Sequence, residues 1–91
     1  MPILFDDDEV AYLNWVSANP KGFVVNMDRK RQMSQYPMIH SASHKLISTS
    51  KIGNFTTGDY IKICGLDRKK LESFCEREFG KLPSICDSCT S

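Results

Sequence analysis

Apolar positions along the chain switch between a helical and a strand period, and the switches mark out the elements. Val10, Leu13 and Val16, with Tyr12 and Trp15 flanking, recur at helical spacing up to Ala18, and Asn19-Pro20 stops the run. Asp6 followed three residues later by Glu9 has the spacing of a capping box, and the acids of this stretch sit where a helix dipole favours them. Met1 to Phe5 is a short apolar lead, read as a loose strand or as a segment packed under that helix. Gly22 releases the chain into Phe23-Val24-Val25-Asn26, a β-type run, and Met38-Ile39-His40 returns as its partner. Residues 27–37 between them are polar and aperiodic, end at Tyr36-Pro37, and read as a long mobile basic loop.

Lys45-Leu46-Ile47 suggests a short helical turn, and residues 48–54 read as loop. Phe55 to Asp59 tightens into a turn, and Tyr60 to Cys64 forms the third strand, with Ile61 and Ile63 on one face and Tyr60, Lys62 and Cys64 on the other. Asp67 is placed to cap a second helix in which Leu71, Phe74, Cys75 and Phe79 share a face, and Gly80 stands at its C-cap. Leu82-Pro83-Ser84-Ile85 then leads to the terminal cysteine pair. The pattern therefore predicts one α+β domain over residues 1–91: an N-terminal helix, a three-stranded antiparallel sheet, and a second helix leading to Cys-x2-Cys.

Length changes this picture by making the core thin: a domain of 91 residues often needs a staple. No apolar run approaches a membrane span, and the acidic first ten residues have the wrong sign for a targeting signal, so a cytoplasmic location is expected. In that reducing setting the four cysteines read as metal ligands or buried thiols rather than disulfides. The net charge of +1 is unevenly spread. Residues 1–10 carry four acids and no base, residues 21–70 carry ten bases against three acids, and residues 71–91 carry two bases against four acids. A middle of +7 permits a polyanionic partner, and equally describes a solvated surface.

The candidate chemistry lies in two spacings. Cys86 and Cys89 form Cys-x2-Cys, which lets one tight turn present two thiolates to one ion, and His40 and His44 form His-x3-His. Together they supply four ligands of the types that zinc prefers, so one structural Zn2+ is expected on His40, His44, Cys86 and Cys89. Cys75 falls on the apolar face of the second helix and reads as a small hydrophobe. Cys64 is open between a place in the metal site and a free thiol beside it.

The order of these pieces resembles the zinc-binding domain of the Ada-type DNA methyl-phosphotriester repair proteins and their Ada-like relatives. The matching pieces are His40-Ser41-Ala42-Ser43-His44, the helix from Asp67 to Phe79 with Gly80, and Cys86-Asp87-Ser88-Cys89, spanning residues 38–89. Similar modules accompany HNH-type nuclease domains in bacterial proteins. The resemblance implies a metal-stapled α+β domain with affinity for DNA. In the Ada type the ligands are four cysteines, the first of them a nucleophile that accepts a methyl group. His40 stands at that position here, so the self-methylation chemistry is expected to be absent and the ion structural.

The function expected is a non-catalytic DNA-binding module, part of a repair, restriction or defence system. Arg29, Lys30, Arg31, Lys45, Lys51 and Lys62 are the expected phosphate contacts, with Tyr36 or Tyr60 stacking or hydrogen-bonding at the same surface. No Gly-rich phosphate cradle or nucleophile elbow points to an enzyme, no small-molecule substrate is inferred, and no membrane partner is expected. An open catalytic zinc on His40, His44 and one Cys would leave the second Cys unexplained. Two rival readings are a zinc-stabilised protein-interaction or regulatory domain, and a methyl acceptor using Cys64, Cys86 or Cys89.

Overall fold

Two strands buried on both faces form the middle of the structure, a computed structural model that describes residues 2–30, 32, 37–43 and 55–85. β2 (Phe23–Asp28) and β4 (Tyr60–Gly65) pair antiparallel over their full length, from Phe23 opposite Gly65 to Asp28 opposite Tyr60. β1 (Ile3–Phe5) pairs with the outer edge of β4, and β3 (Met38–Ser41) with the outer edge of β2, both antiparallel. The two-residue β5 (Ser84–Ile85) adds to β3 in parallel, giving the order β1-β4-β2-β3-β5. No described helix is long and apolar enough to cross a membrane.

The two described helices lie on opposite faces of this sheet, because side chains alternate across a strand. On one side α1 (Glu9–Ala18) brings Tyr12 and Val16 onto Phe5, Val24, Ala42, Phe55 and Cys64. On the other, α2 (Arg68–Phe79) brings Leu71 and Cys75 onto Val25, Met27, Ile39, Ile61 and Ile63. The expected split of β4 holds: Ile61 and Ile63 face α2, while Lys62 and Cys64 face away from it. Each fully buried aliphatic or aromatic side chain contributes roughly 1.5–3 kcal/mol, so two small clusters carry most of the hydrophobic stabilisation.

α2 follows its sequence signals closely. The Asp67 carboxylate accepts from the backbone N–H groups of Lys69 at 2.9 Å and Lys70 at 3.3 Å. Gly80, in the left-handed region at φ 74°, closes the helix with its N–H donating to the Glu76 carbonyl at 3.1 Å. Phe74 and Phe79 are half-buried and meet edge to face, with ring centroids 6.3 Å apart.

α1 departs from expectation at both its cap and its face. The N-cap is Asp8, which accepts from the Ala11 N–H at 3.2 Å. Asp6 instead pairs with Arg29, and Glu9 accepts from the Thr56 backbone N–H, so no capping box forms. The buried stripe is Tyr12 and Val16, while Val10 is 72% exposed. Tyr12 turns inward because Phe5 and Phe55, distant in sequence, supply rings at 5.9 and 5.5 Å that an aliphatic spacing count does not see. The stop is as expected: Asn19 donates from both its backbone and its side-chain amide to the Trp15 carbonyl, at 3.0 and 2.9 Å.

The sheet also exceeds the three strands expected. The lead segment is a strand, in the register Ile3 to Cys64, Leu4 to Ile63 and Phe5 to Lys62. β5 is too short to show any period. Met27 and Asp28, assigned by sequence to the basic loop, are the buried end of β2, and the chain leaves the strand at Arg29. Arg31 and residues 33–36 of that loop, like the expected turn at Lys45-Leu46-Ile47, lie outside the described residues.

The α1–β2 turn is tight at Gly22. A Cβ there would stand 2.7 Å from the Trp15 ring and 3.2 Å from the carbonyl oxygens of Asn19 and Gly65. Gly22→Ala is therefore expected to destabilise the fold by about 1–3 kcal/mol through overpacking. Urea unfolding should show a lower midpoint with an unchanged slope; an unchanged midpoint would contradict the close approach.

Candidate functional site

The α1 side of the sheet is polar where its apolar cluster ends. Lys62 is only 3% exposed, and its ammonium donates to Asn26 Oδ1 at 2.6 Å and to the Phe55 carbonyl at 2.7 Å. Asn26 is its register partner on β2, and the rings of Phe55 and Tyr60 lie 5.9 and 5.6 Å from Nζ. Burial pulls the Lys62 pKa down to about 8, against an opposing pull from Glu9. Next along the turn, the Thr56 carbonyl accepts from the Asp7 N–H and from Arg29 Nη2, both at 2.8 Å, and Thr56 Oγ1 accepts from the Asp8 N–H at 2.9 Å.

These bonds involve two of the expected phosphate contacts. Lys62 is buried and committed to Asn26 and Phe55, because β4 alternation turns it inward under the 55–59 turn. Arg29 is a clasp: beyond Asp6 and Thr56, its Nε donates to the Gly58 carbonyl at 3.0 Å, and its backbone N–H to Asp59 at 2.7 Å. Lys30 is exposed, on the rim of a hollow of about 260 Å³ shared with Asp28, Gln32, Asp59 and Tyr60. Tyr60 is half-buried over the Lys62 ammonium. Arg31, Tyr36, Lys45 and Lys51 lie outside the described residues.

Of the expected zinc ligands, His40 is described, and His44, Cys86 and Cys89 lie outside the described residues. His40 is buried on β3 opposite Val24, which on its other side is opposite Cys64. Among the described residues no group of three or more His, Cys, Asp or Glu could hold a metal ion. Cys64 is fully buried, and burial pushes its thiol up to about 12, so its thiolate is scarce at neutral pH. Cys64 packs as a small hydrophobe beside Tyr12, whose own pKa burial also raises. Cys75, on the far side of the sheet, has its thiol pushed up to about 11, chiefly by burial.

A second charged surface lies on α2. Lys69, Lys70, Ser73 and Arg77, with Pro2, line a groove of about 400 Å³ that contains no carboxylate. At 3.6 residues per turn these four positions fall within an arc of about 100°. Among the described residues none of the three cations forms an ion pair; the nearby Glu72 is paired with Arg68 at 3.7 Å. The signal was in the sequence as a helical spacing of bases opposite Leu71 and Cys75, hidden beneath a consecutive basic triplet at Arg29-Lys30-Arg31.

No protein-family model matches this chain, and comparison with curated proteins and with solved structures finds no match to either.

The Lys62 environment gives a pH signature. Below pH 8 the ammonium is charged in both folded and unfolded chains; between about 8 and the unfolded value near 10.4 the native amine is neutral while the unfolded one keeps its proton. The unfolded state then binds more protons, so this residue's contribution to stability rises with pH. A neutral amine still has two N–H donors for Asn26 and Phe55. The stability of wild type minus that of Lys62→Met should grow by on the order of 1 kcal/mol between pH 7 and 9, the thiols being common to both. A difference independent of pH would contradict the placement.

Proposed function

We propose that this chain is a non-catalytic DNA-binding module closed by one structural zinc ion on His40, His44, Cys86 and Cys89. The observation that supports it is the register of β5 on β3. Ile85 lies opposite Ile39, and each stands one residue before a proposed ligand, Cys86 and His40. Paired strands are about 4.8 Å apart and one peptide step covers about 3.8 Å, so the described chain stops one step short of Cys86 in the neighbourhood of His40. Two imidazoles and two thiolates fill a tetrahedral zinc site and leave no open position for catalysis. Such a staple suits a domain whose two hydrophobic clusters are this small.

The Ada-like resemblance points the same way, and a reducing cytoplasm suits a thiolate-bound ion. The surplus of positive charge over residues 21–70 and the exposed Lys30 support a polyanionic partner, with Arg31, Lys45, Lys51 and Tyr36 kept in the proposed contact set. Lys62 leaves that set because it is buried, and Arg29 is secondary to it because one donor on each of its guanidinium nitrogens is engaged by the protein. A second reading, a zinc-stabilised protein-interaction domain, draws support from β1, an edge strand in which Ile3 and Leu4 are 42% and 53% exposed.

The purified chain should carry one equivalent of zinc by elemental analysis, and Cys86→Ser should lose it and unfold at lower temperature. A metal-free chain of unchanged stability would reject the staple. In a mobility-shift assay at low salt the zinc-loaded protein should retard duplex DNA. Absence of any shift, with a stable partner protein in a pull-down, would favour the interaction domain.

A further inference from the structure

We infer that the outward face of α2, formed by Lys69, Lys70, Ser73 and Arg77 with Pro2 at its margin, is a docking surface for the phosphodiester backbone of DNA. The inference rests on the DNA-binding reading above, and it places the principal contact on α2 where the sequence had pointed to the loop after β2. Lys62 is buried with its ammonium held by Asn26 and Phe55, and the exposed Arg29 has one donor on each guanidinium nitrogen engaged by Asp6, Thr56 and Gly58. The α2 cations are placed differently. Lys69, Lys70 and Arg77 are exposed, form no ion pair among the described residues, and share a groove without a carboxylate.

Their spacing favours an extended polyanion over a single anion. From Lys69 to Arg77 the helix rises about 12 Å at 1.5 Å per residue. Over that length one DNA strand presents three to four phosphates at about 3.4 Å rise each. Ser73 stands midway between the two ends and offers a hydroxyl, a common donor to phosphate oxygens. The helix N-terminus plays no part, because Asp67 already accepts from the N–H groups of Lys69 and Lys70. Recognition of this kind uses side-chain charge, is indifferent to base sequence, and weakens steeply with salt.

The test is fluorescence anisotropy on zinc-loaded protein with a labelled 20-base-pair duplex, across a salt series. Three phosphate contacts correspond to a slope of about 2.7 in log affinity against log salt, or a loss of about 40-fold between 50 and 200 mM. The triple variant Lys69→Gln, Lys70→Gln, Arg77→Gln should lose that part of the slope, while Lys69→Arg with Lys70→Arg should keep it. Lys30→Gln serves as the loop comparison and should change the slope by no more than about 1. The substituted side chains are exposed, so the melting temperature should hold, and melting each variant checks that a loss of binding is not a loss of fold. If wild type binds and the triple variant binds with the same slope, the α2 assignment falls and the DNA-binding reading stands. If wild type does not bind the duplex, both fall. Displacement of the labelled duplex by polyglutamate at a lower concentration of charge than unlabelled duplex requires would assign the groove to an acidic protein and overturn the phosphodiester assignment.

Discussion

The Lys62 ammonium is the constraint on which the α1 side of the structure depends. A buried charge is costly unless its donors are engaged, so Lys62 fixes whatever supplies its acceptors. Those acceptors come from Asn26 on β2 and from the Phe55 carbonyl, and Thr56, the next residue, takes the N-terminal turn of α1 through Asp7, Asp8 and Glu9. Arg29 donates to the Thr56 carbonyl from the end of β2. The start of α1, the end of β2 and β4 therefore meet at residues 55 and 56, and the placement of α1 over Val24 and Cys64 follows from that meeting.

How much of this could be read from sequence divides along the range of the forces involved. α2 was legible, with its Asp67 cap, Leu71 and Cys75 face and Gly80 stop, because each of those signals lies within a few residues of what it acts on. The alternation in β4 was legible for the same reason. α1 was legible as a helix, but its buried face was not, since Tyr12 answers to Phe5 and Phe55. The Asp6 and Glu9 spacing matched a capping box, yet both carboxylates found partners brought close only by the tertiary fold. β1 was left open between a strand and a packed lead, and β5 was missed, because three and two residues carry no period; pairing defines them.

The charged residues repeat that division at the level of function. A basic triplet in sequence looks like a binding element, but Arg29 also holds Asp6, Thr56 and Gly58, and Lys62, outside the triplet, is folded into the interior. Three exposed cations among the described residues are grouped by helical spacing on α2, on the side of the sheet away from the Lys62 network. Internal structure and external charge thus occupy opposite layers of the same sheet. A ligand on α2 would leave the hydrogen bonds around Thr56 in place.

The seam between β3 and β5 joins these observations to the proposed ion, because it brings the end of the described chain back beside the strand that carries His40. Cobalt(II) substitution tests that claim most directly. A site of two imidazoles and two thiolates should give intense visible ligand-field bands and a thiolate charge-transfer band at one equivalent, both lost on Cys86→Ser. Only the weak absorption of hydrated octahedral cobalt throughout the titration would contradict it.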